Sequence, residues 1–380
     1  MKIALYYPWI YLKSGIEKTI LETVKRSRHN WTIFTSHYDK DQTFKEFRNL
    51  DIVELSKIPV ERGYLKVLLA ALKVCFQKIN LSKYDALIVH SEGLGDLITL
   101  RNHSLPILCF CHTPIKVIHD PFMKGVYLKK NILKKPIFLL ASNIFKAIDK
   151  IAWKNYKHAI TISQEVKKRI LNADLISKNH IHILPNGVNC KNITPTWKYD
   201  NYFLHPARLK WWKNIELSIE AFNIFCKKNN NFELIIAGQL DKRSEKYYNY
   251  LVKLSKNNKK IKIIPDPDKN TFRKLFQNSY ATLSTTPNED FGITIIEAMA
   301  YGKPVIAIDQ GGPKEIIDNN VTGLLTPLSS TEMSKKLAYL ADNKDIVLKM
   351  GQAAREASLR YNWEKIIDDL DTFIDELALP

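Results

Sequence analysis

The sequence predicts an α/β protein with two doubly wound domains, and three observations support this prediction. The chain has 380 residues, which is too long for one ordinary hydrophobic core. Short runs rich in β-branched residues alternate with helical stretches, as is typical of βαβ units in parallel sheets. The alternation forms two series, which polar and turn-forming residues separate at 186–199. We therefore expect domains at residues 1–195 and 196–360.

Seven strands are expected in the first series. Apolar runs without polar alternation are typical of strands that are buried on both faces of a parallel sheet. The predicted strands are Ile3–Tyr7, Thr32–Thr35, Ile52–Leu55, Ala86–His90, Ile107–Cys111, Ala159–Ile162 and Ile181–Leu184. The predicted helices between them include Ile16–Lys25, Leu65–Ile79 and Glu165–Leu171.

Six strands are expected in the second series. They are Tyr202–His205, Leu234–Ala237, Ile261–Ile264, Ala281–Ser284, Val305–Ile308 and Gly323–Leu325. The predicted helices between them include Asn214–Lys227, Glu245–Leu254, Thr271–Phe276, Ile293–Tyr301 and Thr331–Leu340. Because ligands of open α/β sheets bind beyond the carboxyl ends of the strands, we expect the chemistry in loops that follow strands.

The composition is that of an ordinary globular protein, with 45% hydrophobic and 25% charged residues. The five cysteines are odd in number and scattered, so we expect neither a disulfide framework nor a zinc site. This cysteine pattern favours a reducing, cytoplasmic environment. The sequence begins with a strand-like run, so no signal peptide is expected, and its apolar stretches are too short to cross a bilayer. We expect a cytoplasmic protein, soluble or peripheral to a membrane.

The chain is basic, with a net charge of +18, and one region has a strong excess of positive charge. Between Lys124 and Lys157 there are nine lysines and a single acid, Asp149, interleaved with apolar residues. Two interpretations stay open: a solvated surface, or a face that binds anionic lipid headgroups, where each cation contributes about 1 kcal/mol. Nucleic acid is not expected as a partner, because the sequence offers no paired recognition elements and no aromatic stacking platform.

The stretch 288–307 carries the most specific chemical pattern. It follows a predicted strand, begins a helix near Gly292 and ends in another strand. Glu289 precedes the helix and Glu297 lies within it, where each carboxylate can accept two hydrogen bonds from a polyol. Taken singly, Glu289 also fits a helix-dipole partner and Glu297 a solvated helix residue. The backbone N–H groups that point out of the helix start and suit an oxyanion belong to Phe291, Gly292 and Ile293.

This stretch resembles the retaining glycosyltransferases of family 4, which have the GT-B fold. The resemblance lies in the run Glu-Asp-Phe-Gly-x4-Glu-Ala-Met-Ala-x-Gly-Lys-Pro-Val-Ile-Ala, which begins at Glu289. It continues through Gly311-Gly312, Glu315 and Asn320-x-x-Gly323. In that family the first glutamate contacts the donor sugar and the second binds the ribose hydroxyls of the nucleotide. The resemblance implies those roles for Glu289 and Glu297.

A second match follows the strand Tyr202–His205. Arg208 and Lys213 can bracket a diphosphate, the arginine as a fork and the lysine as a point charge. The resemblance implies that they hold the donor pyrophosphate and stabilise the leaving group. A pair of surface cations on a basic protein is the alternative. Family members often carry glycine after this lysine, whereas Asn214 stands here.

Two further matches lie in the first domain. Ser14-Gly15-Ile16-Glu17 resembles the family's Gly-Gly-x-Glu loop beside the donor phosphate, with Gly15 as the residue that allows close approach. His112 stands at the carboxyl end of a strand, in Cys-His-Thr-Pro, where the resemblance implies contact with the transferred sugar. A structural histidine is the alternative. Lys116 and Asp120 fall where this subgroup often has Arg and Asp, and they are acceptor-side candidates.

The resemblance covers nearly the whole chain and implies two Rossmann-like domains that face a central cleft. The acceptor would bind residues 1–195 and the nucleotide sugar residues 196–360, and a C-terminal helix within 361–380 would pack back toward the first domain. No metal or other cofactor is expected. The groups that would stabilise the leaving phosphate are Arg208, Lys213, the helix start at Gly292 and the backbone of Gly15.

The implied reaction is retaining transfer of a hexose to a glycan or lipid-linked acceptor. The donor stays open between GDP-mannose and a UDP-sugar of the glucose type. One alternative is another GT-B enzyme, such as a nucleotide-sugar epimerase or a sugar phosphorylase. Another is a basic protein without enzymatic activity that binds nucleic acid or membrane, although it leaves the glutamate pattern unexplained.

Overall fold

The computed structural model describes residues 1–60 and 63–378. The chain forms two compact units. The first comprises Met1–Asn186 together with the final helix from Glu364, and the second comprises Gly187–Trp363. Each unit contains one sheet in which all paired strands are parallel, with seven strands in the first and six in the second. The predicted α/β class with two doubly wound sheets is confirmed.

The first unit has the strand order β3-β2-β1-β4-β5-β6-β7. Its strands are β1 (Lys2–Tyr6), β2 (Asn30–Thr35), β3 (Ile52–Glu54), β4 (Ala86–Ser91), β5 (Ile107–Cys111), β6 (His158–Thr161) and β7 (Ile181–Ile183). Its helices are α1 (Gly15–Arg26), α2 (Tyr64–Phe76), α3 (Lys116–His119), α4 (Pro121–Lys130), α5 (Lys135–Trp153) and α6 (Gln164–Asn172). The chain reverses direction across the sheet between β1 and β4, so these two strands define the switch point of this unit.

The second unit has the strand order β10-β9-β8-β11-β12-β13. Its strands are β8 (Tyr202–Pro206), β9 (Glu233–Gly238), β10 (Ile261–Pro265), β11 (Ala281–Ser284), β12 (Val305–Ile308) and β13 (Gly323–Thr326). Its helices are α7 (Ile215–Phe225), α8 (Glu245–Ser255), α9 (Lys269–Asn278), α10 (Ile293–Ala300), α11 (Pro313–Ile316), α12 (Ser330–Asp342) and α13 (Lys344–Ser358). Here the chain reverses between β8 and β11, whose residues pair directly. A core rich in phenylalanine, with Phe203, Phe222 and Phe225 buried, packs under β8.

The chain passes into the second unit earlier than the sequence predicts. The expected boundary is at 195–196, whereas the second unit begins at Gly187. The backbone N–H of Val188 donates to the carbonyl of Tyr361 at 2.7 Å, and the thiol of Cys190 lies 3.3 Å from the carbonyl of Ser358. These contacts join the segment after the Asn-Gly turn to the end of the second unit.

The final helix, α14 (Trp363–Ala378), contributes to the first unit from Glu364 onward. Its acidic residues meet the C-terminal end of α1 and the residues after it. Arg26 pairs with Glu364 at 3.1 Å, and the hydroxyl of Ser27 donates to Asp371 at 2.6 Å. Carboxylates therefore bind the basic end of α1, while the apolar face of α14 is buried.

Helices α3, α4 and α5 were not predicted from the sequence. The start signal of α4 is nevertheless plain, since the Asp120 side chain caps it and Pro121 occupies its first position. The outward face of α5 is apolar, so the helix lacks the polar side that usually identifies a surface helix. Among the described residues, no helix has the length and apolar character that crossing a membrane requires.

Candidate functional site

The switch point of the second unit brings predicted site residues together. Because β8 and β11 are neighbours, the loop after β8 and the loop after β11 lie side by side at the carboxyl edge of the sheet. The first loop carries Arg208 and Lys213, and the second carries Glu289. The Lys213 Nζ lies 2.5 Å from Glu289 Oε2, and both side chains are mostly buried. A cation and an acid from two distant parts of the chain thus meet where a doubly wound sheet binds its ligand.

The backbone of the first loop is fixed on both sides of Arg208. The N–H of Ala207 donates to the carbonyl of Ala237 at 3.0 Å, and that of Leu209 donates to Gln239 at 2.9 Å. Arg208 itself is half-buried. Burial lowers the pKa of the neighbouring Lys210, although its ion pair with Asp241 at 2.5 Å opposes this shift. The loop therefore concentrates positive charge directly after β8.

Asn214 occupies the position at which the family often has glycine. Its φ of 51° lies in the left-handed region, which glycine and asparagine adopt most readily. The hydroxyl of Thr285 donates to the carbonyls of Lys213 and Asn214, at 3.0 and 2.8 Å, and ties this turn to the second loop. The substitution therefore preserves the turn that presents Lys213.

A third loop supports Glu289 from beneath. Gly311, after β12, has a φ of 66°, and a Cβ built on it would lie 2.4 Å from the carbonyl oxygen of Glu289. The N–H of Gly312 donates to that same oxygen at 2.8 Å. A Cβ on Gly312 would lie 2.4 Å from the carbonyl oxygen of Phe291. Only residues without a side chain fit here, so the glycine pair sets the path of 289–291.

Helix α10 begins at this support. Gly292 is its N-cap residue, and the ring of Phe291 is buried. The N–H groups of Ile293 and its neighbours at the helix start have no acceptor one turn earlier within the helix, as at every helix start. Glu297 is a half-buried residue inside α10, and its charge adds to the burial that raises the pKa of Tyr301. The predicted helix with one glutamate before it and one within it is present.

A buried histidine underlies the cationic loop, and the sequence analysis gave it no role. His205 Nδ1 lies 2.7 Å from the hydroxyl of Ser218. Burial, with the charge of Lys213 adding to it, lowers the pKa of His205 to about 3. His205 is therefore neutral and adds no charge to the site. The sequence feature that could have identified His205 is its position near the end of a buried strand.

In the first unit, the loop that contains Gly15 follows β1 at the switch point. Ser14 is the N-cap of α1 and accepts from the N–H of Ile16 at 3.3 Å. Its hydroxyl donates to Glu17, which also accepts from the N–H of Leu12 at 3.3 Å. Burial raises the pKa of Glu17 to about 7, although the Ser14 bond opposes the shift. Ser14 and Glu17 thus hold the start of α1 through their side chains, with Glu17 accepting from the Ser14 hydroxyl and from the backbone of Leu12.

His112 lies directly after β5 and is buried at 4% exposure. Its Nε2 is 3.0 Å from Nδ1 of His90, on the adjacent strand β4. His90 was not predicted as a site residue. The position of His112 at the end of a strand does not show which residue of the adjacent strand it will contact.

The two acceptor-side candidates differ in their contacts. Lys116 begins α3 and is half-buried. Asp120 is buried, caps α4 through the N–H of Met123 at 3.0 Å, and lies 3.3 Å from Nε of Arg169. Arg169 in turn donates to the Thr113 hydroxyl at 3.0 Å. Both carboxylate oxygens of Asp120 therefore hold the segment that follows His112.

Two glycosyltransferase family models match consecutive parts of the chain. The sequence model of the family described as Glycosyl transferases group 1 matches residues 191–357, and that of Glycosyltransferase Family 4 matches residues 14–192. An Alpha-1,3/1,6-mannosyltransferase ALG2 from Kluyveromyces lactis is 27% identical, over 90% of this chain and 77% of that protein. A probable sucrose-phosphate synthase from Thermosipho melanesiensis is 30% identical, over 60% of this chain and 56% of that protein.

Solved structures share the fold. Anabaena Alr3699/HepE in complex with UDP-glucose aligns with a TM-score of 0.72 and 18% identity, over 99% of this chain and 100% of that chain. At this identity the likeness concerns the arrangement of strands and helices.

Proposed function

The chain belongs to glycosyltransferase family 4, and from this membership we propose that it transfers a hexose from a nucleotide sugar to a glycan or lipid-linked acceptor. The observation that carries the proposal is the meeting of Lys213 and Glu289 at the switch point of the second unit. A cation for the phosphates and an acid for the sugar hydroxyls are the two groups that a nucleotide sugar requires. The donor is GDP-mannose or a UDP-sugar of the glucose type.

The second unit binds the donor. Its diphosphate competes with Glu289 for Lys213, and charge-assisted hydrogen bonds from Arg208 and Lys213 hold it. Glu289 then accepts hydrogen bonds from the sugar, and Glu297 accepts them from the ribose. The glycine pair Gly311-Gly312 keeps the backbone of 289–291 in place during this exchange. Neither a metal nor another cofactor takes part in the proposal, since the two cations and the start of α10 supply the positive potential.

Transfer proceeds with retention of configuration. The oxygen of the acceptor hydroxyl forms a bond to the anomeric carbon as the bond from that carbon to the phosphate oxygen breaks. Both events occur on one face of the sugar, and the acceptor proton passes to the departing phosphate oxygen. No side chain acts as nucleophile. The family resemblance assigns the phosphate to the backbone of Gly15 and the transferred sugar to His112.

Donor binding is tested by thermal shift with GDP-mannose, UDP-glucose, GDP and UDP. A ligand that binds the native state raises its melting temperature. We expect one donor to stabilise the protein, and Lys213→Met to weaken its binding by about 10- to 100-fold, as the loss of a charge-assisted hydrogen bond requires. Lys335→Met removes an exposed lysine of α12 and serves as the control. Equal donor affinity in both variants would contradict the assignment.

Transfer itself is measured as acceptor-dependent release of the nucleoside diphosphate. NMR of the product then reports its anomeric configuration, and an α-linked product from an α-linked donor is expected. Release without an acceptor would favour an epimerase or a hydrolytic enzyme. An inverted product would contradict retention.

The proposal includes peripheral contact with an anionic membrane through the segment Lys124–Lys157. Helix α5 presents a stripe of exposed apolar side chains at helical spacing, and its opposite face is buried. The stripe consists of Ile137, Leu140, Ile144, Ile148 and Ile151. Leu133, just before α5, is 96% exposed. Lysines surround the stripe, and Lys124 and Lys150 both add to the burial that lowers the pKa of Lys146.

Helix α2 extends this surface. Asn102 donates to the carbonyl of Gln77, at the end of α2, and Thr99 donates to that of Ala152 in α5, each at 2.8 Å. Both helices thus pack beside the segment Leu94–Leu100. The large exposed apolar residues of α2 include Leu65, Val67, Leu68, Leu69, Leu72 and Phe76. Apolar stripes among lysines are the chemistry that binds anionic lipid headgroups and their acyl boundary.

Membrane contact is tested by co-sedimentation with vesicles. We expect binding to phosphatidylglycerol vesicles that falls with salt, and little binding to phosphatidylcholine. Leu140→Gln with Ile144→Gln should weaken it several-fold, because the apolar contribution is lost. Leu348→Gln, on exposed α13, is the matched control. Equal binding of both variants, or self-association through this face in sedimentation velocity, would contradict the proposal.

A further inference from the structure

Two buried histidines of the first unit face each other at the carboxyl ends of adjacent strands. His90 lies in β4, and His112 directly follows β5, with which β4 pairs in parallel register. His90 is fully buried and His112 is 4% exposed. The distance from His90 Nδ1 to His112 Nε2 is 3.0 Å, which is hydrogen-bonding distance.

Packing fixes the planes of both rings. The ring of Phe110 stacks on His90 with centroids 4.7 Å apart and on His112 with centroids 5.1 Å apart. The backbone N–H of His112 donates to the carbonyl of Ser91 at 2.9 Å. Neither ring can turn away without breaking this stack, so the contact between the two nitrogens is built into the strand ends.

A contact between two ring nitrogens holds one proton, and its donor can be identified. Burial lowers the pKa of His90 well below its usual value, and the charge of His112 adds to this, so His90 is neutral. A neutral imidazole carries its proton on one nitrogen only. If His90 carried it on Nε2, that N–H would be buried without an acceptor, because Nε2 has no hydrogen-bond partner among the described residues.

A buried N–H without an acceptor is the rarer and costlier kind of unsatisfied group, compared with an unsatisfied lone pair. The proton of His90 therefore lies on Nδ1 and points at His112 Nε2. His112 accepts with that nitrogen, so in its neutral form its own proton lies on Nδ1.

We propose that His90 is a positioning residue that fixes His112 in the tautomer protonated at Nδ1. His112 then does not accept the proton of the acceptor hydroxyl through Nε2, because the lone pair of that nitrogen is engaged by His90. The consequence for transfer rests on the proposed function. The tautomer itself does not. The tautomer protonated at Nδ1 agrees with a reaction in which the departing phosphate takes the proton of the acceptor hydroxyl.

The test is a long-range ¹H–¹⁵N spectrum of the full chain labelled in its histidine rings. The signals of His112 are identified by their loss in His112→Gln. We expect a protonated Nδ1 and a bare Nε2. In His90→Phe the stack on Phe110 is kept but the donor is lost, so His112 should become a mixture of tautomers. In His90→Asn the amide N–H takes the place of Nδ1–H and should restore the single tautomer.

A second histidine pair provides the control. His158 Nδ1 lies 3.2 Å from His182 Nε2 in strands β6 and β7, and His158→Phe should leave the His112 signals unchanged. A wild-type His112 protonated on Nε2, or a tautomer that is the same in His90→Phe, would overturn the proposal.

Activity supplies an independent readout. With the donor identified, His90→Phe should lower kcat at least tenfold with little change in the donor KM, and His90→Asn should recover most of the loss. Equal loss in both variants would show a packing role and overturn the assignment. If no donor is turned over at all, the proposed function fails while the tautomer result stands.

Discussion

At the scale of single residues, the site of the second unit depends on residues that carry no chemistry. Gly311 and Gly312 lie against the backbone of 289–291, and Asn214 adopts a left-handed conformation beside Lys213. Lys303 is fully buried, donates to the carbonyl of Lys198 and lies 4.1 Å from the ring centroid of Tyr199. Burial lowers its pKa to about 8. This lysine of the family motif therefore packs against the segment before β8.

Gly312→Ala tests the close approach of Gly312 to the backbone of Phe291. Its Cβ would lie 2.4 Å from the carbonyl oxygen of Phe291, a backbone atom that cannot move alone. We expect a loss of about 1–3 kcal/mol in the free energy of unfolding and weaker donor binding, as in overpacked sites. Urea unfolding measures the first and thermal shift the second.

The matched control is Gly125→Ala in α4, where an added Cβ would contact nothing within 4 Å. That change should be neutral or stabilising by up to about 1 kcal/mol, because alanine favours a helix. The explanation fails if Gly312→Ala behaves like Gly125→Ala.

The candidate site residues stand out in the sequence, whereas the residues that support them do not. Glu289, Glu297, Arg208 and Lys213 stand in motifs whose spacing and order are informative. His90, by contrast, meets His112 through strand pairing across a sheet, and its partner is not deducible from local sequence. The contact of Thr285 with the Lys213 turn has the same origin.

At the scale of elements, strands were more predictable than helices. Each expected strand is present, because uninterrupted apolar runs between turns have few other solutions. Helices α3–α5 were missed because α5 shows apolar residues on its outer face as well as its inner face. The sequence analysis recognised the charge of this segment but not its helices.

Docking of α14 on the first unit provides a test at this scale. Asp371 is 3% exposed and accepts from the Ser27 hydroxyl at 2.6 Å and the Arg28 N–H at 2.8 Å. Asp371→Ala removes the buried carboxylate that accepts both hydrogen bonds and should lower the free energy of unfolding by about 1–3 kcal/mol. Asp369→Ala removes an exposed partner of Lys365 and should change it by less than about 0.5 kcal/mol. Similar losses in urea unfolding would contradict this role of α14.

At the scale of the whole molecule, buried acids set the pH dependence of stability. Asp96 is held by the Tyr156 hydroxyl at 2.6 Å and the Ser91 hydroxyl at 2.7 Å, and Asp149 lies 3.3 Å from His119 Nε2. Burial raises the pKa of Asp96 to about 7, with the charge of Asp149 adding to the shift. Burial also raises the pKa of Asp149 to about 7.

Between the unfolded value near 3.8 and about 7, the folded protein therefore binds more protons at these acids than the unfolded chain does. Their contribution is complete below the unfolded pKa and is lost as pH rises through the folded pKa. Asp149→Asn removes one such acid, so its stability relative to wild type should increase as pH rises from 5 to about 8. Urea unfolding across that range measures the difference. A difference that does not vary with pH would contradict the linkage.

The first unit is discontinuous in the chain, since it is interrupted after Asn186 and completed from Glu364. During synthesis the ribosome therefore releases every residue of the second unit before the helix that finishes the first. The earlier-made half lacks its final helix until the residues from Glu364 onward have been synthesised. A chain that stops before α14 would consequently leave incomplete the half that was made first.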